Sequence, residues 1–323
     1  MSISFKASSP NNFNGSSHLT GNPHIWVTFF RHILYVASYP QTNSLTSGLN
    51  VLPTAEMTTA ACPKVQNPKM TGNAMANAPC DMIALSPEAS FSFACNPGVP
   101  CFNACCRDLS QFLTPYDVLR LKRCLDLTSG EFLGNFTAWH IGPGSGLPVV
   151  TLRPVGGSQL RCPFVTPQGC SVYPDRPAAC RTYPLVRLVS RDRESGHTSE
   201  RFFLLKEPHC QGHLQARKQT VREWLCDQDL AAHNRMNDLL MAAISLKNRL
   251  APGPLPLTLQ RLFYQACYDQ DAFRALVREK RLTRPAAVDT PPLERLESDE
   301  DALLAFALDY WQKALADHAA HHS

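Results

Sequence analysis

The sequence predicts an α+β protein in which irregular cysteine-rich loops, short helices and a small antiparallel sheet precede a helical C-terminal region. Three observations point there. Eight of the thirteen cysteines sit on Pro- and Gly-bearing segments between residues 95 and 210, where turns are favoured over helix. Short runs of β-branched and aliphatic residues lie between those segments. Beyond residue 215, apolar residues recur at helical spacing. The expected organisation is a disordered or over-extended segment 1–85, a cysteine-rich domain 86–215 and a helical region 216–323.

Residues 1–85 are rich in Asn, Ser, Thr, Pro and Ala without sustained periodicity, the composition of a chain that buries little. Their one apolar run, IWVTFFRHILYVASY over 25–39, is broken by Arg31 and His32. It is shorter than the roughly 20 residues a membrane span needs and lacks the basic start and cleavage site of a signal peptide. Met57, Met70 and Met75 offer later starts, and Cys62 and Cys80 read as incidental thiols.

Order is expected from Phe91, first as the loop FACNPGVPCFNACC. A helix follows in LTPYDVLRLKRCLDL: Thr114 caps it, Pro115 suits its first turn, Asp117 complements its dipole, and Val118, Leu119, Leu121 and Leu125 form its apolar stripe. Thr128 and Glu131 have capping-box spacing for a short helix to Leu133. Residues 147–155, Leu185 to Val189 and Arg201 to Leu205 read as three strands of one small antiparallel sheet, with SRDRESGHTSE as a hairpin loop. Thr220 and Glu223 cap a helix carrying Trp224 and Leu225. Longer helices are expected over Leu230–Leu250 and Thr258–Lys280, separated by Pro252, Pro254 and Pro256. After a Pro-rich linker, Ser298 and Asp301 cap a last helix with Leu304, Leu308, Trp311 and Leu315 on one face, ending in a solvated tail bearing His318, His321 and His322.

The bulk numbers exclude some classes. A chain of 323 residues with 44% hydrophobic content supports one or two packed domains. A net charge of +4 without a basic cluster gives no basis for nucleic-acid binding. Thirteen cysteines cannot all pair internally, and the adjacent Cys105 and Cys106 are poorly placed to bridge each other. Reduced thiols in a cytoplasmic protein fit better than a disulfide framework, with an exported disulfide protein as the minor alternative.

The chemistry lies in Cys95, Cys101, Cys105 and Cys106, then Cys162, Cys170 and Cys180, then Cys210. Thiolates are soft ligands suited to iron–sulfur clusters and zinc, and Gly98, Pro100, Pro163 and Gly169 supply the turns that let such loops curl round an ion. No zinc-ribbon or zinc-finger spacing occurs. Vicinal cysteines rarely reach one ion together, and more than four candidate sulfurs favour an iron–sulfur cluster or polynuclear site over a single zinc. Arg107, Arg161, Arg176 and Arg181 flank these cysteines, either offsetting a cluster's negative charge or pairing with Asp108 or Asp175. His209 and His213 are candidates for ligands or supporting donors, against an ordinary structural role; His140 has a weaker claim. Cys124, Cys226 and Cys267 lie in helical patterns and read as small buried hydrophobes, with Trp224, Phe306 and Trp311 as core.

The segment RCPFVTPQGCSVYPDRPAACRTYP, Arg161 to Pro184, resembles the signature of the YkgJ-type cysteine-cluster proteins. The matching residues are Cys162, Gly169-Cys170-Ser171, Tyr173, Arg176-Pro177, Cys180-Arg181 and Tyr183, preceded by Cys95, Cys101 and the pair Cys105-Cys106. The upstream spacing is wider than the compact CxxCxxCC form of some members. The resemblance covers about residues 91–212 and implies a zinc- or iron-chelating domain. Within it Pro177 fixes a turn, and Tyr173 is expected to pack on the cluster loop. Flagellin lysine methylases carry a similar cysteine arrangement, so the alternative is an enzyme of that kind or an iron–sulfur oxidoreductase. No nucleotide loop, nucleophile elbow or HExxH motif assigns a reaction, and the turn GPGSG at 142–146 follows no such pattern. The metal is the one partner implied; neither nucleic acid nor membrane is expected.

Overall fold

The computed structural model describes residues 24–28, 34–36, 81–107, 110–143, 145–191, 198–279, 281–282 and 291–322. The chain begins with strands β1 (His24–Thr28), β2 (Leu34–Val36), β3 (Asp81–Leu85), β4 (Ser90–Ser92) and β5 (Phe112–Leu113). Helices α1 (Pro115–Cys124) and α2 (Ser129–Phe136) lead into β6 (Thr137–Ile141) and β7 (Pro148–Leu152). A small hairpin, β8 (Val165–Thr166) and β9 (Gly169–Cys170), precedes α3 (Ala178–Thr182), β10 (Leu185–Arg191), β11 (Thr198–Lys206) and β12 (Lys218–Thr220). The rest is helical: α4 (Val221–Asp227), α5 (Leu230–Leu250), α6 (Leu257–Cys267), α7 (Gln270–Arg278), α8 (Leu293–Ser298) and α9 (Glu300–His322). The α+β class with small antiparallel sheets and a helical C-terminal region is therefore present.

The expected single sheet is divided in two. Strands β10 and β11 pair antiparallel, Leu185 opposite Leu204, in a sheet ordered β2-β1-β10-β11-β3. Strand β7 instead joins β5 and β6. The reason is local: the GPGSG turn closes β6 onto β7, with Gly142 N–H donating to Leu147 O at 2.9 Å and Gly146 at φ +65°. Strands β1, β2 and β3 lie within residues 1–85; β1 covers one side of the β10–β11 hairpin and β3 the other, so neither strand of the hairpin keeps an open edge. The other N-terminal expectations, including Cys62, Cys80 and the alternative starts, lie outside the described residues.

The capping boxes at Thr114/Asp117, Thr128/Glu131 and Thr220/Glu223 all form. The helix expected over Thr258–Lys280 is broken between α6 and α7, where Asp269 accepts from Ala272 N–H and starts a second helix. The final helix is capped by Asp299, which accepts from the amides of Asp301 and Ala302, rather than by Ser298, whose hydroxyl bonds back to Glu294 O. The tail expected to be solvated continues α9 as helix.

One hydrophobic core runs from Leu113, Val118, Leu121 and Phe132 through Phe164 and Val172 to Met236, Phe263, Phe273 and Trp311. It spans both sides of residue 215. A smaller core holds Phe91, Phe93, Tyr183, Leu185, Phe202, Val221 and Trp224. Cys267 is buried as expected, and so are Phe306 and Trp311. Cys124 and Cys226 are exposed instead. In α4 the buried positions are Val221 and Trp224, and Cys226 falls off that face; Cys124 lies in the last turn of α1, beyond its buried run. Between the two halves, Glu300 accepts from Lys122 Nζ (2.6 Å), Arg123 Nε (2.6 Å) and Arg274 Nη2 (2.9 Å), tying α1 and α7 to α9. Among the described residues no helix is long and apolar enough to cross a membrane.

Candidate metal centre

Four segments carry the eight candidate cysteines, and each is held by identifiable bonds. The loop 95–106 is a series of tight turns, Val99 N–H to Asn96 O at 2.9 Å and Ala104 N–H to Cys101 O at 2.9 Å. Asn103 takes a left-handed φ of 65°, and its amide donates to Thr166 O at 2.9 Å. The β8–β9 hairpin closes against this loop: Cys162 N–H donates to Cys106 O at 2.8 Å. Gly169, at φ +124°, lies so near the Phe102 ring that a Cβ there would meet Phe102 Cζ at 3.2 Å. Helix α3 presents Cys180. Its first N–H, Ala178, donates to buried Asp117 Oδ1 at 2.8 Å, so a carboxylate on α1 stands at the positive end of the helix bearing that thiol.

The fourth segment is the turn around Cys210. Ala94 N–H donates to Gly212 O at 3.1 Å. A Cβ at Gly212 would stand 2.3 Å from Phe93 Cε2. Gln211 N–H donates to Cys101 Sγ at 3.1 Å. The thiols of Cys101 and Cys210 share a hydrogen bond, and Tyr183 hydrogen-bonds Cys210. The Tyr183 ring packs edge-on against Phe93, centroids 5.8 Å apart.

These contacts bring thiols from distant sequence positions together. Cys105 interacts electrostatically with Cys95, Cys106, Cys162, Cys170 and Cys180. Burial first, then repulsion from Cys105, Cys101 and Cys210, pushes the Cys95 thiol up to about 11. Burial, with repulsion from Cys170 and Cys105, also places Cys162 at about 11, although amides of Phe164 and Val165 partly oppose the rise. Burial raises Cys170, Cys180 and Cys210 as well. For Cys106 the bond to Cys105 comes first, then burial. Burial and mutual repulsion thus favour the protonated form of these thiols, and positive charge beside them works the other way.

Arg176 and Arg181 are both buried. Arg176 lies over the Tyr173 ring at 3.7 Å, bonds Tyr173 O and Gln228, and lowers the pKa of Cys95 and Cys170. Arg181 bonds the carbonyls of Pro174, Arg176 and Gln228, so it staples the turn before α3. Asp175 pairs with Arg120 at 2.6 Å, not with either of them. Arg107 and Arg161 are exposed. Tyr173 is 55% exposed and covered by Arg176 rather than buried under the cysteine loop. His209 Nε2 and His213 Nδ1 are buried atoms, with Glu207 Oε2 at 3.7 Å from His209 and the backbone of Glu207 and Cys210 bonded by His213. His140 sits on exposed β6.

Two contributors carried no signal of their own in the sequence. Gln111, nearly fully buried, accepts from Cys180 Sγ at 3.6 Å. Asp117 read only as a dipole partner, yet it also caps α3 and faces buried His233 at 3.4 Å. A carboxylate 61 residues away from its target has no spacing signature.

Seven half-buried thiols and exposed Cys95, with no disulfide among the described cysteines, form a donor set whose chemistry suits a thiophilic metal. Among the described residues no group of three or more His, Cys, Asp or Glu side chains is placed to hold a metal ion as it stands. The thiols instead bond in pairs, Cys101 to Cys210 and Cys105 to Cys106, as protonated sulfurs do.

Residues 94–211 match the model of the CxxCxxCC family, described as a "putative zinc- or iron-chelating domain". No curated protein and no solved structure matches the chain. The matched span begins one residue before Cys95 and ends one after Cys210, enclosing all four thiol-bearing segments. Residues 94–211 are therefore similar to the CxxCxxCC domain, and that similarity supports a metal-binding role for this segment.

Proposed function

We propose that this domain holds an iron–sulfur cluster on Cys105, Cys106, Cys162, Cys170 and Cys180, in a reduced cytoplasmic protein with an electron-transfer role. The observation that carries the reading is the gathering round Cys105 of thiols from the loop 95–106, the β8–β9 hairpin and α3. Five sulfurs exceed what one tetrahedral zinc takes. A cluster would supply one-electron chemistry. The chain's own groups then act on its ligands: Asp117 fixes α3 and with it Cys180, Gln111 accepts from the Cys180 thiol, and Arg176 offsets negative charge beside Cys170. The 94–211 domain would serve as the metal-binding part, with the helices beyond residue 215 as its buttress.

Anaerobic purification followed by iron, zinc and acid-labile sulfide analysis tests this. Iron and sulfide in equal amounts with broad absorbance in the blue are expected. A colourless protein with zinc at unit stoichiometry on these five cysteines refutes the cluster, and absence of both metals refutes the whole reading.

A further inference from the structure

We propose that the open edge of β6, with the cleft beside it, binds an extended peptide segment through its main chain and takes one basic side chain, a lysine or arginine, against Asp269. No cysteine lines this site, and the reading does not depend on the metal.

Strand β6 stands at the end of its sheet, in the order β5-β7-β6, and among the described residues it pairs with β7 alone. The bonds Gly142 N–H to Leu147 O at 2.9 Å and Arg153 N–H to Phe136 O at 2.8 Å flank that ladder. Antiparallel bonding alternates along a strand, so Ala138 and His140 turn their backbone groups to β7, and Trp139 and Ile141 turn theirs to the free edge. The strand reads TAWHI, with neither the lysine nor the proline that blunts an exposed edge. Instead its last four residues are exposed, Trp139 by 58% and Ile141 by 41%.

An edge alone names no partner; the cleft beside it does. It holds about 500 Å³ between β6, α2 and the junction of α6 with α7. Trp139 and Tyr264 form an aromatic wall, ring centroids 5.7 Å apart. Helix α2 leaves room opposite, since a Cβ on Gly130 or Gly134 would meet nothing within 4 Å. Asp269 also lines the cleft, close enough to Tyr264 to add to the rise that burial gives its hydroxyl pKa. Its carboxylate accepts from Ser129 Oγ at 2.7 Å and Ala272 N–H at 3.3 Å, both on Oδ1. Lys122 and Arg274 pair with Asp271 and Glu300 instead. Aromatic faces beside a carboxylate favour a cation. Arg153, which also lines the cleft, is held on Gly134 O at 3.3 Å and Thr137 O at 2.6 Å, and carbonyls at the end of α2 offset its charge. Side chains of an added strand alternate between the faces of the sheet. A guest paired with Trp139 and Ile141 therefore sends one side chain to the face where Trp139 meets Tyr264. Main-chain bonds hold the peptide and the cleft selects the residue.

The test uses the full chain, with its metal as purified, and a fluorescein-labelled, amidated peptide of alternating threonine and valine with a central lysine. Fluorescence anisotropy should show saturable binding at or below about 1 mM, and hydrogen exchange at the amides of Trp139 and Ile141 should slow when the peptide is added. Norleucine or glutamate in place of the lysine should weaken binding about tenfold or more. N-methyl groups on the edge-facing amides of the peptide should abolish binding, and the same groups on the alternate amides should not. Asp269→Asn, which keeps a capping side chain on α7, should remove the preference for lysine over norleucine. Ile141→Pro removes an outward N–H without touching the β7 ladder and should weaken binding about tenfold. Absence of binding, equal binding of the lysine and glutamate peptides, or indifference to N-methylation would each overturn the proposal. So would a dimer in sedimentation that Ile141→Pro disperses, which assigns the edge to a second copy. Slow exchange at Trp139 and Ile141 before any peptide is added assigns it to another segment of the chain and overturns the proposal too. Should Asp269→Asn fail to fold, the lysine and norleucine peptides on the unsubstituted chain decide.

Discussion

Substituting Glu300→Gln should destabilise the fold by about 3 kcal/mol at neutral pH, with a pH dependence that identifies the cause. Burial alone would raise this carboxyl, but hydrogen bonds from Lys122, Arg123 and Arg274 more than reverse that, bringing it from its ordinary 4.5 down to about 2. At about 1.4 kcal/mol per tenfold, that depression corresponds to about 3 kcal/mol of folded-state preference for the ionised form. Because the folded value is depressed, the contribution is complete above 4.5 and is lost as pH falls toward 2. Gln keeps the shape and removes the charge, leaving nearly buried Lys122 with Asp271 at 3.5 Å as its remaining counter-charge. Urea unfolding followed by tryptophan fluorescence should therefore show a difference of about 3 kcal/mol at pH 7, shrinking to less than half of that near pH 3. A difference under about 0.5 kcal/mol at pH 7, or one that does not change with pH, would refute the charge argument.

Asp117→Ala leaves the amides of Thr114 and Ala178 without their acceptor and should cost about 2–4 kcal/mol; iron content should fall with it, measured beside an unfolding curve. Gly212→Ala forces a methyl against Phe93 and should cost about 1–3 kcal/mol by thermal unfolding. In metal-free chain, Cys162 at about 11 instead of 9.0 should be alkylated about a hundredfold more slowly at pH 8 than an ordinary thiol, since only the thiolate reacts; peptide mapping of the label checks this. The same raised values mean that the metal-free fold keeps its full stability below pH 9 and loses it between 9 and 11, which melting temperatures at pH 8 and 10.5 will show.

What the sequence disclosed depended on how local the physics was. Thr114, Thr128 and Thr220 announced three helices because a capping box is complete within four residues. Strand pairing was less legible. Residues 148–152 look like any strand, and only the tight GPGSG turn decides that their partner is 137–141 and not 185–191. The thiol-bearing segments are recognisable from cysteine density and the Arg161–Pro184 pattern, but their packing on one another is not, because it arises from folded contacts such as Cys162 to Cys106 and Gln211 to Cys101. Cys124 and Cys226 were misread because an isolated cysteine in a helix has no neighbour to reveal its face. Arg176 and Arg181 looked alike on paper; the structure sets one beside the thiols and uses the other to staple a turn.

The bond from Lys122 to Glu300 also governs when the protein matures. A ribosome makes Cys95 early, Cys180 later and Cys210 later again, so all eight of these thiols exist while α9 is still unmade. At that stage α1 carries Asp117, the cap of α3, but lacks the carboxylate that anchors α1 itself. A ribosome stalled before codon 300 therefore yields a polypeptide that has the eight thiols of 95–210 but not the Glu300 carboxylate that ties α1 and α7 to α9.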